Sequence, residues 1–145
     1  MARLQTVSDL MTREVVTLDA NEALGVADDV MGLARIRHMP VLDEDESVIG
    51  LVSQRDLFRG ALARALGYGE HAQKKLLGMM RVKEVMTTEV VTVPPETTLV
   101  EAAKLMTGRK IGCLVVVEDA KLVGILTESD FVRLVLSPEA DESSS

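Results

Sequence analysis

The stretch VSDLMTREVVTLDANEAL, residues 7–24, returns as VKEVMTTEVVTVPPETTL at residues 82–99. At an offset of 75 residues, Met11 matches Met86, Thr12 matches Thr87, and Val15, Val16 and Thr17 match Val90, Val91 and Thr92. The match runs on through Leu24 and Leu99, Ala27 and Ala102, Met31 and Met106, and Ile36 and Ile111, to Val41 and Val116. One residue is then lost between LDEDESVIG and VEDAKLVG. The offset becomes 74 and still aligns Gly50 with Gly124, Asp56 with Asp130 and Arg59 with Arg133. A correspondence this long with a single gap marks an internal duplication, and the two copies are read as two like structural units.

Each copy carries the same order of local signals. VVTL (15–18) and VVTV (90–93) are short β-branched runs that predict strands. In the first copy Ala23, Val26, Ala27, Val30, Met31 and Ala34 recur at helical spacing. In the second, Leu99, Ala102, Ala103 and Met106 do the same, behind a capping box at Thr98–Glu101. HMPVLD and GCLVVVE read as second strands. SVIGLVS and KLVGILT read as third strands, closing hairpins over the polar turns DEDES and DAK. A second helix follows Ser53 and Thr127.

The unit is therefore β-α-β-β-α, and the fold class is mixed α/β (α+β). One such unit buries too little surface to stand alone, so two pseudo-symmetric units packed through their sheets are expected. The boundaries are 1–60 for the first repeat, 61–81 for a helical connector, 82–136 for the second repeat and 137–145 for a disordered acidic tail. The connector should continue the preceding helix to about Leu66, break at Gly67 and Gly69, and resume as a short ordered helix.

Composition narrows the function. Hydrophobic residues make up 47% of the chain and aromatics 2%, so the core is aliphatic. The formal net charge of −7 and the scarcity of aromatic rings argue against nucleic-acid binding, which draws on clustered Lys and Arg and on base-stacking platforms. The N-terminal sequence lacks the apolar run of a secretion signal, and no stretch reaches the roughly 18 apolar residues that span a membrane. The single cysteine, Cys113, lies in an apolar run and reads as a buried reduced thiol. A cytoplasmic location is expected. His38 and His71 form no metal-ligand pattern, and DEDES reads as a solvated turn, so no metal is expected. No nucleophile–base pair, GxSxG, P-loop or GxGxxG occurs, so the chain is not expected to be an enzyme.

The phrases GLVSQRD (50–56) and GILTESD (124–130) admit two readings. In one, Ser53 or Thr127 caps a helix and Asp56 or Asp130 complements its dipole. In the other, the carboxylate accepts both hydroxyls of a ribose, while the nearby hydroxyl and free helix amides face a phosphate. The two are compatible, because the capped turn positions the carboxylate. Arg59 and Arg133, one turn further on, are expected to pair with carboxylates on the helix surface or across a dimer.

The opening DLMT and EVMT, the VVTL and VVTV runs, IRHMPVLD, and these two endings, in this order and twice over, resemble a tandem CBS-domain pair, named after cystathionine β-synthase. The resemblance spans about Val7 to Val135. It implies a regulatory module with clefts at the interface of the repeats for AMP, ADP, ATP or S-adenosylmethionine, with no resident cofactor, and pairing into a homodimer. It assigns Asp56 with Ser53 and Leu51, and Asp130 with Thr127 and Ile125, to the ribose and ring. It lets each site borrow from the opposite repeat. Thr92 with Ile111, Gly112 and Cys113 would serve the Asp56 site, and Thr17 with Ile36, Arg37 and His38 the Asp130 site. Arg55 would supply phosphate charge at Asp56, and Arg37 and His38 at Asp130, making the Asp130 site the better one for a charged nucleotide. The second copy departs from the pattern with Val115 where the first has Pro40. No output domain is read in this sequence, so a separate effector protein is expected to read the ligand. The alternative is a structural dimerisation or interaction module with no nucleotide ligand.

Overall fold

The computed structural model describes residues 5–57 and 79–136. In chain order the elements are α1 (Val7–Leu10), β1 (Leu18–Asp19), α2 (Leu24–Ala34), β2 (His38–Leu42), β3 (Val48–Ser53), a 3-10 turn (Val82–Glu84), β4 (Thr92–Val93), α3 (Leu99–Arg109), β5 (Cys113–Glu118), β6 (Lys121–Thr127) and α4 (Glu128–Leu136). Gln54–Leu57 are also helical, up to the edge of the described residues. The expected connector helix and its glycine break, Arg59, His71 and the acidic tail lie outside them.

Two three-stranded sheets result, ordered β1-β2-β3 and β4-β5-β6. In each, the first strand lies parallel to the second and the second antiparallel to the third. Parallel neighbours need a crossover, which α2 and α3 supply, while the antiparallel pair needs only a tight turn. The chain thus has the mixed α/β architecture its repeat implied.

The first strand of each copy is shorter than its β-branched run. VVTL contributes Leu18 to a two-residue strand, and VVTV contributes Thr92 and Val93. In the second copy the Val115 amide adds a bond to the Val91 carbonyl at 3.1 Å. Pro40 holds the corresponding register position opposite Leu51 but has no amide hydrogen to donate. Despite that difference, Pro40 and Val115 face equivalent partners, Leu51 and Ile125.

The helices end alike. Arg35 and Lys110 sit in the left-handed region, at φ 56°. The Ile36 and Ile111 amides reach back five residues to the Met31 and Met106 carbonyls, at 3.2 and 3.0 Å. This is a Schellman closure built without the customary glycine. It delivers residues 36–38 and 111–113 into the second strands. The burial stripe of α3 follows the sequence spacing through Leu99, Ala102 and Met106. That of α2 is rotated: Leu24, Ala27 and Met31 are buried, whereas Val26 is 44% exposed and Ala23 is the N-cap.

The chain forms two compact units, Val16–Val90 and Met1–Val15 with Val91–Ser145. Each closes on its own aliphatic core. In the first, Leu18, Leu24, Met31, Met39, Val41 and Val52 meet Met80 and Val82 from far along the chain. In the second, Val93, Met106, Leu114, Val116 and Leu126 meet Val7 and Met11 from the N-terminal segment. Each sheet is thus completed by the segment that begins the other sequence repeat.

The attachment is by paired backbone bonds and a methionine. Thr12 and Ile125 exchange amide–carbonyl bonds of 2.9 and 3.0 Å, and Thr87 and Leu51 exchange two of 2.9 Å. Met11 lies over Gly124 and Met86 over Gly50. A Cβ at either glycine would stand 2.9 Å from the methionine Cγ, so the absent side chain is what admits the sulfur.

Candidate functional site

Strands β3 and β6 each run directly into a helix, and the hydroxyl–x–x–Asp motif occupies that junction. In the first unit the Ser53 amide donates to Asp56 Oδ2 at 3.0 Å and the Asp56 amide donates to Ser53 Oγ at 3.0 Å. This is a reciprocal capping box with aspartate in the acidic place. Asp56 is half-buried, and among the described residues no second donor reaches its carboxylate.

In the second unit the same motif is drawn tighter. Asp130 is 1% exposed, the one buried charged residue among those described. Its Oδ2 accepts the Thr127 amide at 2.9 Å and the Thr127 hydroxyl at 3.4 Å. Its Oδ1 accepts the Thr12 hydroxyl at 3.1 Å and the Arg133 guanidinium. Arg133 Nη2 also approaches Thr12 Oγ1 at 3.4 Å. A buried carboxylate needs such partners, because leaving it unpaired costs several kcal/mol. Arg133 does pair with a carboxylate, but the partner is the buried motif aspartate itself rather than one on the helix surface or across a dimer. Thr12 was visible in the sequence only as a matched repeat position. Nothing local ties it to an aspartate 118 residues away.

The strand starts flank these turns. His38 pairs in register with Ser53, and the Gln54 amide donates to the Arg37 carbonyl at 2.8 Å. Cys113 pairs with Thr127, and the Glu128 amide donates to the Gly112 carbonyl at 3.2 Å. Within the first unit the structure therefore brings Arg37 and His38 to Ser53, Arg55 and Asp56, with Ile36 just before them and Leu51 two residues before Ser53. Within the second it brings Gly112 and Cys113 to Thr127 and Asp130, with Ile125 on the same strand. Thr92 lies exposed on β4, opposite Val115. Thr17 is half-buried, immediately before β1. Arg37 and Arg55 are exposed.

Burial, with the nearby Asp130 charge adding to it, pushes the Cys113 thiol up to about 12. Cys113 is a free, buried cysteine, as expected, and is held protonated. Among the described residues no group of three or more His, Cys, Asp or Glu could hold a metal, and no helix is long and apolar enough to cross a membrane.

A duplicated β-α-β-β-α unit, each copy ending in a capped aspartate at a strand-to-helix junction, defines a tandem α/β domain pair. The chain belongs to the CBS-domain family, whose model matches residues 7–63 and 82–137. A CBS domain-containing protein of Dictyostelium discoideum is 29% identical, with 90% of each chain covered. A solved structure from Vibrio cholerae, assigned to acetoin utilization, is 37% identical with a TM-score of 0.80, over 97% of this chain and 96% of that one. The structure of CBSX2 in complex with AMP is 31% identical with a TM-score of 0.72, over 90% and 96%. The CBS-domain pair of protein MJ0100, in complex with 5′-methylthioadenosine and S-adenosylmethionine, is 27% identical with a TM-score of 0.73, over 90% and 95%. The chain spans only 24% of the homoserine O-acetyltransferase of Methanococcoides burtonii, to which it is 28% identical.

Proposed function

We propose that this protein is a regulatory sensor that binds an adenosine-containing ligand, AMP, ADP, ATP or S-adenosylmethionine, at its hydroxyl–x–x–Asp motifs and signals to a separate protein. The observation that carries the reading is Asp56. It is half-buried, oriented by a reciprocal cap, and offers carboxylate lone pairs that described residues leave unfilled. Such an acceptor suits the two hydroxyls of a ribose. AMP in one similar structure and adenosyl ligands in another support the ligand class. The motif residues, the strand starts at 36–38 and 111–113, and Thr17 and Thr92 make up the ligand-binding set. The chain works as a cytoplasmic homodimer without catalysis of its own. Ligand shifts it between states only as far as it binds them unequally.

Thermal shift with each of the four ligands, on wild type and Asp56→Ala, tests this. At one hundred times Kd, binding adds about 2.7 kcal/mol. For a chain of this size that raises Tm by several degrees. If none of the four moves wild type, or if Asp56→Ala responds undiminished, the reading fails. A monomeric mass by light scattering at micromolar concentration sinks the dimer.

A second reading, an interaction module without nucleotide, draws on Asp130. Its carboxylate is already held by Thr12, Thr127 and Arg133, as a structural cap requires.

A further inference from the structure

The methionines of the chain differ in what surrounds them. Met11, Met31, Met39, Met80 and Met106 are each 8% exposed or less. Met79 is 68% exposed and packs in neither core. Among the described methionines, Met86 alone is half-buried and also part of a packed contact. Its sulfur is seated over Gly50 and its side chain lies against the first core. Oxidation of methionine follows exposure, so Met86 is the described methionine at which an oxidant meets both access and packing.

Met86 stands beside the last bonds that hold its segment. Thr87 and Leu51 exchange two backbone bonds of 2.9 Å, an isolated bridge onto β3. Upstream, the segment is anchored separately, by the Val82 amide on the Glu22 carbonyl at 2.9 Å and the Lys83 amide on the Ala20 carbonyl at 3.0 Å. The matching segment on the second sheet has a further hold, the Thr12 hydroxyl on buried Asp130 with Arg133 beside it. Among the described residues the Thr87 hydroxyl makes no such bond, and the Asp56 carboxylate takes only the Ser53 amide. In the first unit the end of the segment therefore depends on the methionine.

We infer that Met86 is a redox latch: oxidation of its thioether to the sulfoxide by a peroxide releases residues 85–87 from β3. One oxygen is transferred. The peroxide O–O bond breaks, an S–O bond forms, sulfur loses two electrons, and the reduced peroxide leaves as water or an alcohol. A dithiol reductant reverses the step, becoming a disulfide as the oxygen leaves as water. The sulfoxide is a polar acceptor in a seat without slack, since a Cβ at Gly50 would already stand 2.9 Å from Met86 Cγ. Once the side chain leaves that seat, the Leu51–Thr87 bonds open to water. Leu51 lies two residues before Ser53, so release loosens the strand that carries the capped Asp56 turn. The latch needs no ligand and stands apart from the adenosyl reading.

The test treats the full chain, carrying Met79→Leu, with dilute hydrogen peroxide under native conditions, followed by peptide mass mapping and amide hydrogen exchange. Met86 is expected to gain one oxygen while Met11 and Met106 gain none. Exchange at Leu51 and Thr87 should quicken about tenfold or more, with Val82, Thr12 and Ile125 within about twofold. Methionine sulfoxide reductase with a dithiol should restore the slow exchange. Adding Met86→Leu, which keeps the volume, should hold the bridge and make it indifferent to peroxide. The latch is overturned if Met86 stays unoxidised while the chain remains folded, or if its oxidation leaves Leu51 and Thr87 unchanged. A Met86→Leu chain that responds to peroxide as its parent does overturns it equally.

Discussion

Replacing Gly124 by alanine probes how the N-terminal segment is held on the second repeat. The added Cβ would stand 2.9 Å from Met11 Cγ and 3.1 Å from the Thr12 carbonyl oxygen. The first clash can be relieved by a rotamer change. The second involves the Thr12 carbonyl, which itself accepts the Ile125 amide at 3.0 Å while the Thr12 amide donates to the Ile125 carbonyl at 2.9 Å, so the segment must lift. Overpacking of this kind costs about 1–3 kcal/mol. Met11→Ala alone, which empties a buried site, costs about 2–5 kcal/mol. With both changes present the methyl finds room, and the combined loss should fall short of the sum by about 1 kcal/mol or more. Gly50→Ala should cost less, because its close neighbours all belong to the Met86 side chain. Urea unfolding of the four proteins in the Gly124–Met11 cycle measures these values. Additivity within about 0.5 kcal/mol, the range found for independent sites, would falsify the docking of Met11 on Gly124.

Arg35→Gly or Lys110→Gly relieves a left-handed backbone position and should stabilise by about 0.5–1 kcal/mol; a lower urea midpoint in both variants contradicts the Schellman closure. Thr98→Ala removes the acceptor for the Glu101 amide, 3.1 Å away, and should cost about 1 kcal/mol, with unchanged stability as the refuting result. Cys113 should resist thiol reagents in the native state at pH 8. Its folded pKa is raised to about 12, so the unfolded chain releases this proton first as pH rises. The thiol's contribution is therefore complete below the unfolded value of about 8.5 and declines from there toward pH 12. Cys113→Ala should lack that component of the alkaline slope, and identical slopes in variant and wild type refute it.

The sequence made the hairpins and the second-copy helix legible because their signals are local. Lys121–Thr127 forms the third strand read from KLVGILT beside its polar turn, and Thr98 caps as its spacing predicts. What it hid depends on partners distant in the chain. The rotation of α2, which buries Leu24 and exposes Val26, follows from what packs beneath the helix. The shortening of the first strands depends on how few residues the neighbouring strand pairs. The burial of Asp130 depends on Thr12, and the completion of each core on Val7 and Val82. The two motif aspartates look identical in sequence and differ in the structure, one half-buried and one closed off.

The crossing of the N-terminal segments sets where the chain can be cut. A gene fragment encoding residues 1–60 would carry a first repeat without Met80 and Val82, two residues of its own core. A fragment encoding residues 16–90 would carry every residue of that core. The repeated unit of sequence and the compact unit of the structure are thus out of phase by nine residues, starting at 7 against 16 and at 82 against 91. Circular dichroism of the two fragments, with more ordered structure retained in 16–90 than in 1–60, would separate the two boundaries.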